Sequence, residues 1–159
     1  MSDLEVLQQR AAALATPVEH AERRGLSMVG FALAGTRLAL ELRFLREAAR
    51  VPPLTPLPGA PLVQGLALLR GEVLPVFQLA PLLGLSASPV RAGSRLLVLG
   101  EDAAELGIVV DEVAGARFFA DSEIAPLPDH PLCLGLAADG TLLLDGSRLL
   151  ADPRWRPAS

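Results

Sequence analysis

The sequence predicts a mainly β fold made of two related halves, with a helical arm in front. Three observations carry that prediction. Beyond Gly25 apolar residues alternate at the two-residue period of a strand, as in "MVGFALAGTRLALEL". Apolar runs of strand length then recur at close spacing with Gly and Pro between them, the pattern of a barrel or sandwich. Finally, one phrase is written twice. "PLPGAPLVQGLA" at 56–67 and "PLPDHPLCLGLA" at 126–137 agree at eight of twelve positions, which points to a duplicated unit.

The arm comes first. Leu4, Leu7, Ala11 and Leu14 recur at helical spacing with polar residues between them, so 3–15 is expected to be helical until Pro17 stops the pattern. The polar run "VEHAERRG" continues it briefly or links it to the body, and Gly25 ends an arm spanning 1–25. "MVGFALAGTRLALEL" reads as a hairpin turning at 34–36, with Phe31 and Leu33 on one face, and Leu38, Leu40 and Leu42 on one face of the return strand. "LALLRGEVLPVFQL" supplies a second hairpin around Arg70 and Gly71. Pro75 donates no hydrogen bond and is expected at an edge or strand start. "SRLLVLG", "ELGIVVDEV" and "GTLLLD" supply further strands, while "FLREAAR", "LAPLLG" and "SRLLAD" read as short helical turns.

The repeat extends both ways. "LALELRFL" at 38–45 faces "LGIVVDEV" at 106–113, "GEVL" at 71–74 faces "GTLL" at 140–143, and "APLLG" faces "SRLLAD". Agreement in order over three blocks favours duplication over a convenient Pro-rich connection used twice. The expected division is a body at 27–152 with halves near 27–87 and 93–152, intertwined, and a tail at 153–159.

Composition narrows the function. A chain of 159 residues is one domain or two intimate halves, and can bury roughly 70% of its unfolded surface. Although 51% of residues are hydrophobic, charged residues or prolines break every apolar run well short of the roughly 20 residues of a membrane span. Asp3 and Glu5 stand where an export signal would be basic, so the expected location is the cytoplasm. Cys133 is the only cysteine and can form no internal disulfide, in keeping with a reducing compartment. Net charge is −4 but uneven: seven arginines against Glu41, Glu47 and Glu72 over 37–95, then ten acids against Arg117 over 101–145. Lysine is absent and the arginines stand apart without interleaved aromatics, which argues against nucleic acid. The charges read as solvated faces of half-buried strands, with an asymmetry that biases a partner's approach.

Catalytic constellations are weak. His130 and Cys133 beside Asp129 suggest a ligand pair or a Cys–His nucleophile, but a metal needs more ligands and His20 is the only other histidine. Cys133 takes the place of Val63 in the repeat and is expected to pack as a small apolar residue. Asp111 and Glu112 are adjacent, so on a strand they face opposite ways and form no acid/base pair. No nucleophile elbow, phosphate loop or HExxH motif is present. The expectation is a non-enzyme with no cofactor and no metal.

The string "FALAGTRLALELRFLREAARVPPLTPLPGAPLVQGLALLRGEVLPVFQLAPLL" at 31–83, followed by "ELGIVVDEVAG", "IAPLP" and "DGTLLLD", resembles the CheW-like family of bacterial chemosensory coupling proteins over roughly 27–152. The resemblance implies two five-stranded SH3-like barrels around a shared apolar seam. It also implies an adaptor joining the regulatory domain of a CheA-type histidine kinase to chemoreceptor cytoplasmic tips, recruited to receptor arrays without inserting in the membrane. Kinase contact would use barrel ends, and the receptor helix would lie in a groove between the halves. On this resemblance Arg70 and Glu47 face one another, and Leu45, Glu47, Arg70, Gly107 and Val113 belong to the receptor groove. Gly65 and Gly71 are expected as structural turn residues. Leu68 stands where the family has Asn, and Gln78 where it has Asp. These two departures favour an accessory or pathway-specific member that could bind other signalling proteins.

Overall fold

The structure, a computed structural model, describes residues 24–60, 62–87 and 89–155. The arm expected at 3–15 lies outside them. Strand β1 (Gly25–Leu33) pairs antiparallel with β2 (Thr36–Glu41). Both residues of the turn between them, Ala34 (φ 52°) and Gly35 (φ 78°), are left-handed, the geometry that matches strand twist in a two-residue hairpin. A 3-10 turn at Leu42–Phe44 leads into β3 (Leu45–Arg50), followed by β4 (Leu54–Thr55), β5 (Val63–Leu69), β6 (Glu72–Phe77) and helix α1 (Leu79–Leu82). The remaining strands are β7 (Arg95–Leu99), β8 (Leu106–Val110), β9 (Glu112–Ala120), β10 (Ile124–Pro126), β11 (Cys133–Ala137) and β12 (Leu142–Leu144). Helix α2 (Gly146–Leu150) and a 3-10 turn at Pro153–Trp155 follow.

The strands form two six-stranded sheets, β10-β11-β12-β2-β1-β9 and β3-β7-β8-β6-β5-β4. Shifting every strand number by six converts one order into the other. Each sheet therefore repeats the other's plan while mixing strands from both sides of residue 93. The sixth strand, beyond the five expected, comes from β4 and β10, short edge segments written by the Pro-bounded connections.

Apolar side chains collect in three places. The largest cluster lies between the sheets and takes Phe31, Leu38, Leu40 and Phe44 with Leu97, Leu99, Ile108 and Leu149. The expected inward faces of β1 and β2 thus meet this core. A second cluster (Ala67, Leu74, Val76, Leu96, Val98, Val109) fills the other face of the second sheet, and a third (Met28, Ala39, Phe119, Ala137, Leu143) that of the first.

Three expectations are corrected. The turn of helix expected at "FLREAAR" is strand β3 from Leu45 onward. A six-residue segment running into Pro52 and Pro53 is too short to sustain a helix alone, whereas β7 offers it a full ladder and burial for Leu45 and Ala48. Pro75 sits within β6, an interior strand, but the parallel ladder to β8 begins only at Val76, so its missing N–H interrupts nothing there. Gly65 is not a turn residue. It lies in β5 where β4 crosses closely, and an added Cβ would stand 2.9 Å from Leu54 Cβ. Gly71 (φ 81°) is a turn residue as expected.

Candidate functional site

Glu47 and Arg70 come together. Arg70 Nη2 donates to Glu47 Oε1 at 2.5 Å, with 72% of the Arg70 side chain exposed against 15% for Glu47. The contact joins the edge strand β3 to the β5–β6 turn, three to four strands away in the sheet order. A flat sheet with strands about 4.8 Å apart would hold them about 14–19 Å apart, so the sheet curls to bring them together. Arg70 is itself left-handed (φ 51°). A bulge in β3 between Leu45 and Glu47 sends Leu45 into the central core and turns Glu47 to the opposite face.

The other groove candidates are less accessible. Glu47, Val98, Gly107 and Val76 form one row across β3, β7, β8 and β6. Gly107 is buried there, with Leu96 Cδ1 only 2.7 Å from where a Cβ would be. Leu45 is buried at 1% exposure. Val113 is half-buried on β9 in the other sheet, opposite Phe31 and packed on the central core.

Sequence reasoning missed a counterpart in the first sheet. Arg117, on edge strand β9, pairs with Asp139 in the β11–β12 turn, so the same two elements are bridged with acid and base exchanged. Arg37 donates to the main-chain carbonyl of Asp139, and Thr141 N donates to Asp139 Oδ1 at 3.0 Å. The Arg117 guanidinium, then the Thr141 N–H, hold the Asp139 carboxyl well below the usual carboxylate range. The "ADG" turn opposite "LRG" was the sequence signal that could have revealed it.

The hairpin beside Arg70 carries an apolar face. Leu68 and Val73 are cross-strand partners and remain 67% and 66% exposed. Gln78 makes no side-chain cap at α1, whereas Asp145 at the same place before α2 accepts from Arg148 N at 3.2 Å.

His130 Nε2 lies 4.0 Å from Cys133 Sγ, so the Cys–His pair read from the sequence is in contact. His130 Nδ1 accepts N–H groups from Leu132 and Cys133, both at 3.1 Å, so it holds the loop entering β11. Cys133 is buried in the central core, and burial pushes its thiol pKa up, away from the reactive thiolate. Among the described residues no group of three or more His, Cys, Asp or Glu could hold a metal ion, and no helix is long and apolar enough to cross a membrane.

The chain matches a family model described as the CheW-like domain over residues 27–154. It is 33% identical over 116 residues to Protein PilI of Pseudomonas aeruginosa, covering 71% of this chain and 65% of PilI. It is 33% identical over 137 residues to Protein FrzA of Myxococcus xanthus, covering 79% of this chain and 86% of FrzA. Identity to Chemotaxis protein CheW of Rhizobium meliloti is 29% over 112 residues, covering 70% and 72% of the two chains. The crystal structure of scaffolding protein TtCheW from Thermoanaerobacter tengcongensis superposes with a TM-score of 0.72 at 21% identity, covering 85% of this chain and 98% of the other.

Proposed function

This chain belongs to the CheW-like domain family, and from that premise we propose that it is a non-enzymatic adaptor coupling chemoreceptor cytoplasmic tips to a CheA-type histidine kinase. The family is one of chemosensory coupling proteins. The observation that carries the reading is the Glu47–Arg70 pair: a cation fixed in place by a half-buried carboxylate, yet 72% exposed to a partner. Arginine's planar fork suits recognition of a partner carboxylate or amide while one edge stays on Glu47.

In this reading each curled sheet acts as an SH3-like barrel. Residues near 27–87 and 93–152 are the duplicated halves, exchanging their first two strands. The receptor helix lies in a groove where Arg70, Glu47 and Val113 make contact, and buried Leu45 and Gly107 shape the wall from beneath. The kinase regulatory domain meets the barrel ends, with apolar contact supplying affinity and charge supplying register. The protein works in the cytoplasm, recruited to receptor arrays.

Leu68 favours a pathway-specific member. It replaces the Asn implied by the resemblance with exposed apolar surface, and two of the relatives above are named PilI and FrzA rather than CheW. Titration calorimetry against the kinase regulatory domain and a receptor tip tests the proposal, with circular dichroism verifying the fold of Arg70→Ala. Wild type binds both partners, and the variant loses receptor affinity selectively. Absence of binding to either partner would overturn the adaptor reading.

A further inference from the structure

A cavity of about 390 Å³ opens in the first sheet, lined by residues of β1, β2, β9 and the β11–β12 turn. Small residues make the room. Gly30 and Gly115 are cross-strand partners, and Ala32 and Ala114 join them in the lining, so neighbouring positions on β1 and β9 offer at most a methyl group. Phe119, buried in the third apolar cluster, belongs to the same lining. Among the described strand glycines, Gly30 stands out as one that the fold does not require. An added Cβ at Gly25, Gly65, Gly107 or Gly135 would come within 2.1 to 2.9 Å of another atom, and Gly115 has a φ of 103°. At Gly30 the nearest atom is Ala114 Cβ at an ordinary 3.5 Å. A glycine that weakens its strand without local need keeps space for a close approach from outside.

Four charged side chains complete the lining, and three of them are tied together. The Asp139 carboxylate accepts from Arg117 and from Thr141 N, while the Asp139 carbonyl accepts from Arg37. The Arg117 guanidinium also stands 4.3 Å from the centre of the Phe119 ring. Two guanidinium groups against one carboxylate leave this side of the cavity net positive, with N–H groups of both forks to spare. Glu112 is the opposite pole. It is exposed on β9, and Ala32 pairs with Glu112 on one side and with Arg37 on the other, so two strand spacings, about 9.6 Å, part the anion's backbone from the cation's.

We propose that this cavity binds a small zwitterion with an apolar body, the chemistry of a free apolar amino acid. Its carboxylate meets Arg37 and Arg117, its ammonium group meets Glu112, and its side chain lies over Gly30 and Gly115. Asp139 stays neutralised by Arg117 and holds both arginines in place, so every charge of the lining has a counterpart. Concave sites of roughly 300–1,000 Å³, mostly apolar with a few fixed polar groups, are those that bury small ligands, and barrel mouths are among their usual places. The site lies on the other sheet from Arg70 and does not depend on the adaptor reading.

Titration of the isotopically labelled full chain, followed by two-dimensional NMR and calorimetry, tests the proposal with three probes that share one ring. They are phenylalanine, hydrocinnamate, which lacks the ammonium group, and phenethylamine, which lacks the carboxylate. Phenylalanine should bind with saturable shifts at the Gly30, Ala32 and Gly115 amides, and each truncated probe about tenfold more weakly, as loss of one charge-assisted contact implies. Arg37→Gln should weaken phenylalanine about tenfold and leave phenethylamine unchanged, whereas Glu112→Gln should weaken phenylalanine as much and leave hydrocinnamate unchanged. Gly30→Val fills the space and should exclude all three. The two exposed variants decide the matter even where Gly30→Val disturbs its strand, and circular dichroism verifies their fold. No saturable binding of phenylalanine, shifts only at other amides, a truncated probe that binds as tightly as phenylalanine, or charge variants that alter no affinity would overturn the proposal.

Discussion

Arg70 holds a left-handed backbone angle that costs a residue with a Cβ about 1–2 kcal/mol, and its exposed ion pair returns only about 0–1 kcal/mol. Stability alone would favour Gly. Arg70→Gly is therefore expected to leave the free energy of urea unfolding unchanged or raise it by up to about 2 kcal/mol, while abolishing partner contact. A loss of stability would assign the arginine to the fold rather than to a partner. Asp139 predicts an acid dependence instead. Its folded carboxyl titrates below the unfolded value of about 3.9, so its stabilisation is complete above about pH 4 and is lost as pH falls through the folded pKa. Unfolding of Arg117→Gln and wild type, followed by circular dichroism, should differ most above about pH 5 and converge toward about pH 2. The Glu47–Arg70 contact was legible because the resemblance named both residues. Its mirror at Arg117 and Asp139 was not, because the two lie on elements that meet only when the first sheet curls.

At the scale of elements, the hairpins were legible because a two-residue turn imposes local demands that the sequence states openly: Ala-Gly and Arg-Gly, each flanked by alternating apolar residues. β3 was not, since "REAAR" has good local helix propensity and only the ladder with β7 overrides it. Helix α1 offers a test of the repeat. Asp145 caps α2, but Gln78 leaves α1 uncapped, so Gln78→Asp is expected to stabilise the protein by about 0.5–1 kcal/mol in denaturant unfolding. The paired strand glycines offer another. A Cβ at Gly135 would lie 2.6 Å from the Ala125 carbonyl oxygen, repeating the close approach at Gly65. Gly135→Ala should cost about 1–3 kcal/mol, because the Ala125 backbone stands in the way together with Ile124 Cγ2, also 2.6 Å off.

The whole molecule is one strand plan used twice, with two strands of each half donated to the other's sheet. The duplication was readable from the PLP phrases because both sit where a short edge strand must cross a glycine. Among the described residues the one His–Cys contact, His130 with Cys133, involves a thiol buried in the central core. The molecule's exposed features include Arg70 on Glu47 beside Leu68 and Val73, the surface proposed above for partner contact. The most direct measurement of that role is co-sedimentation of the kinase with receptor-bearing membranes, with and without this chain. An adaptor carries the kinase into the pellet only when wild-type chain is present, and folded Arg70→Ala fails to do so. Kinase that sediments equally in its absence, or stays in the supernatant in its presence, would contradict the account.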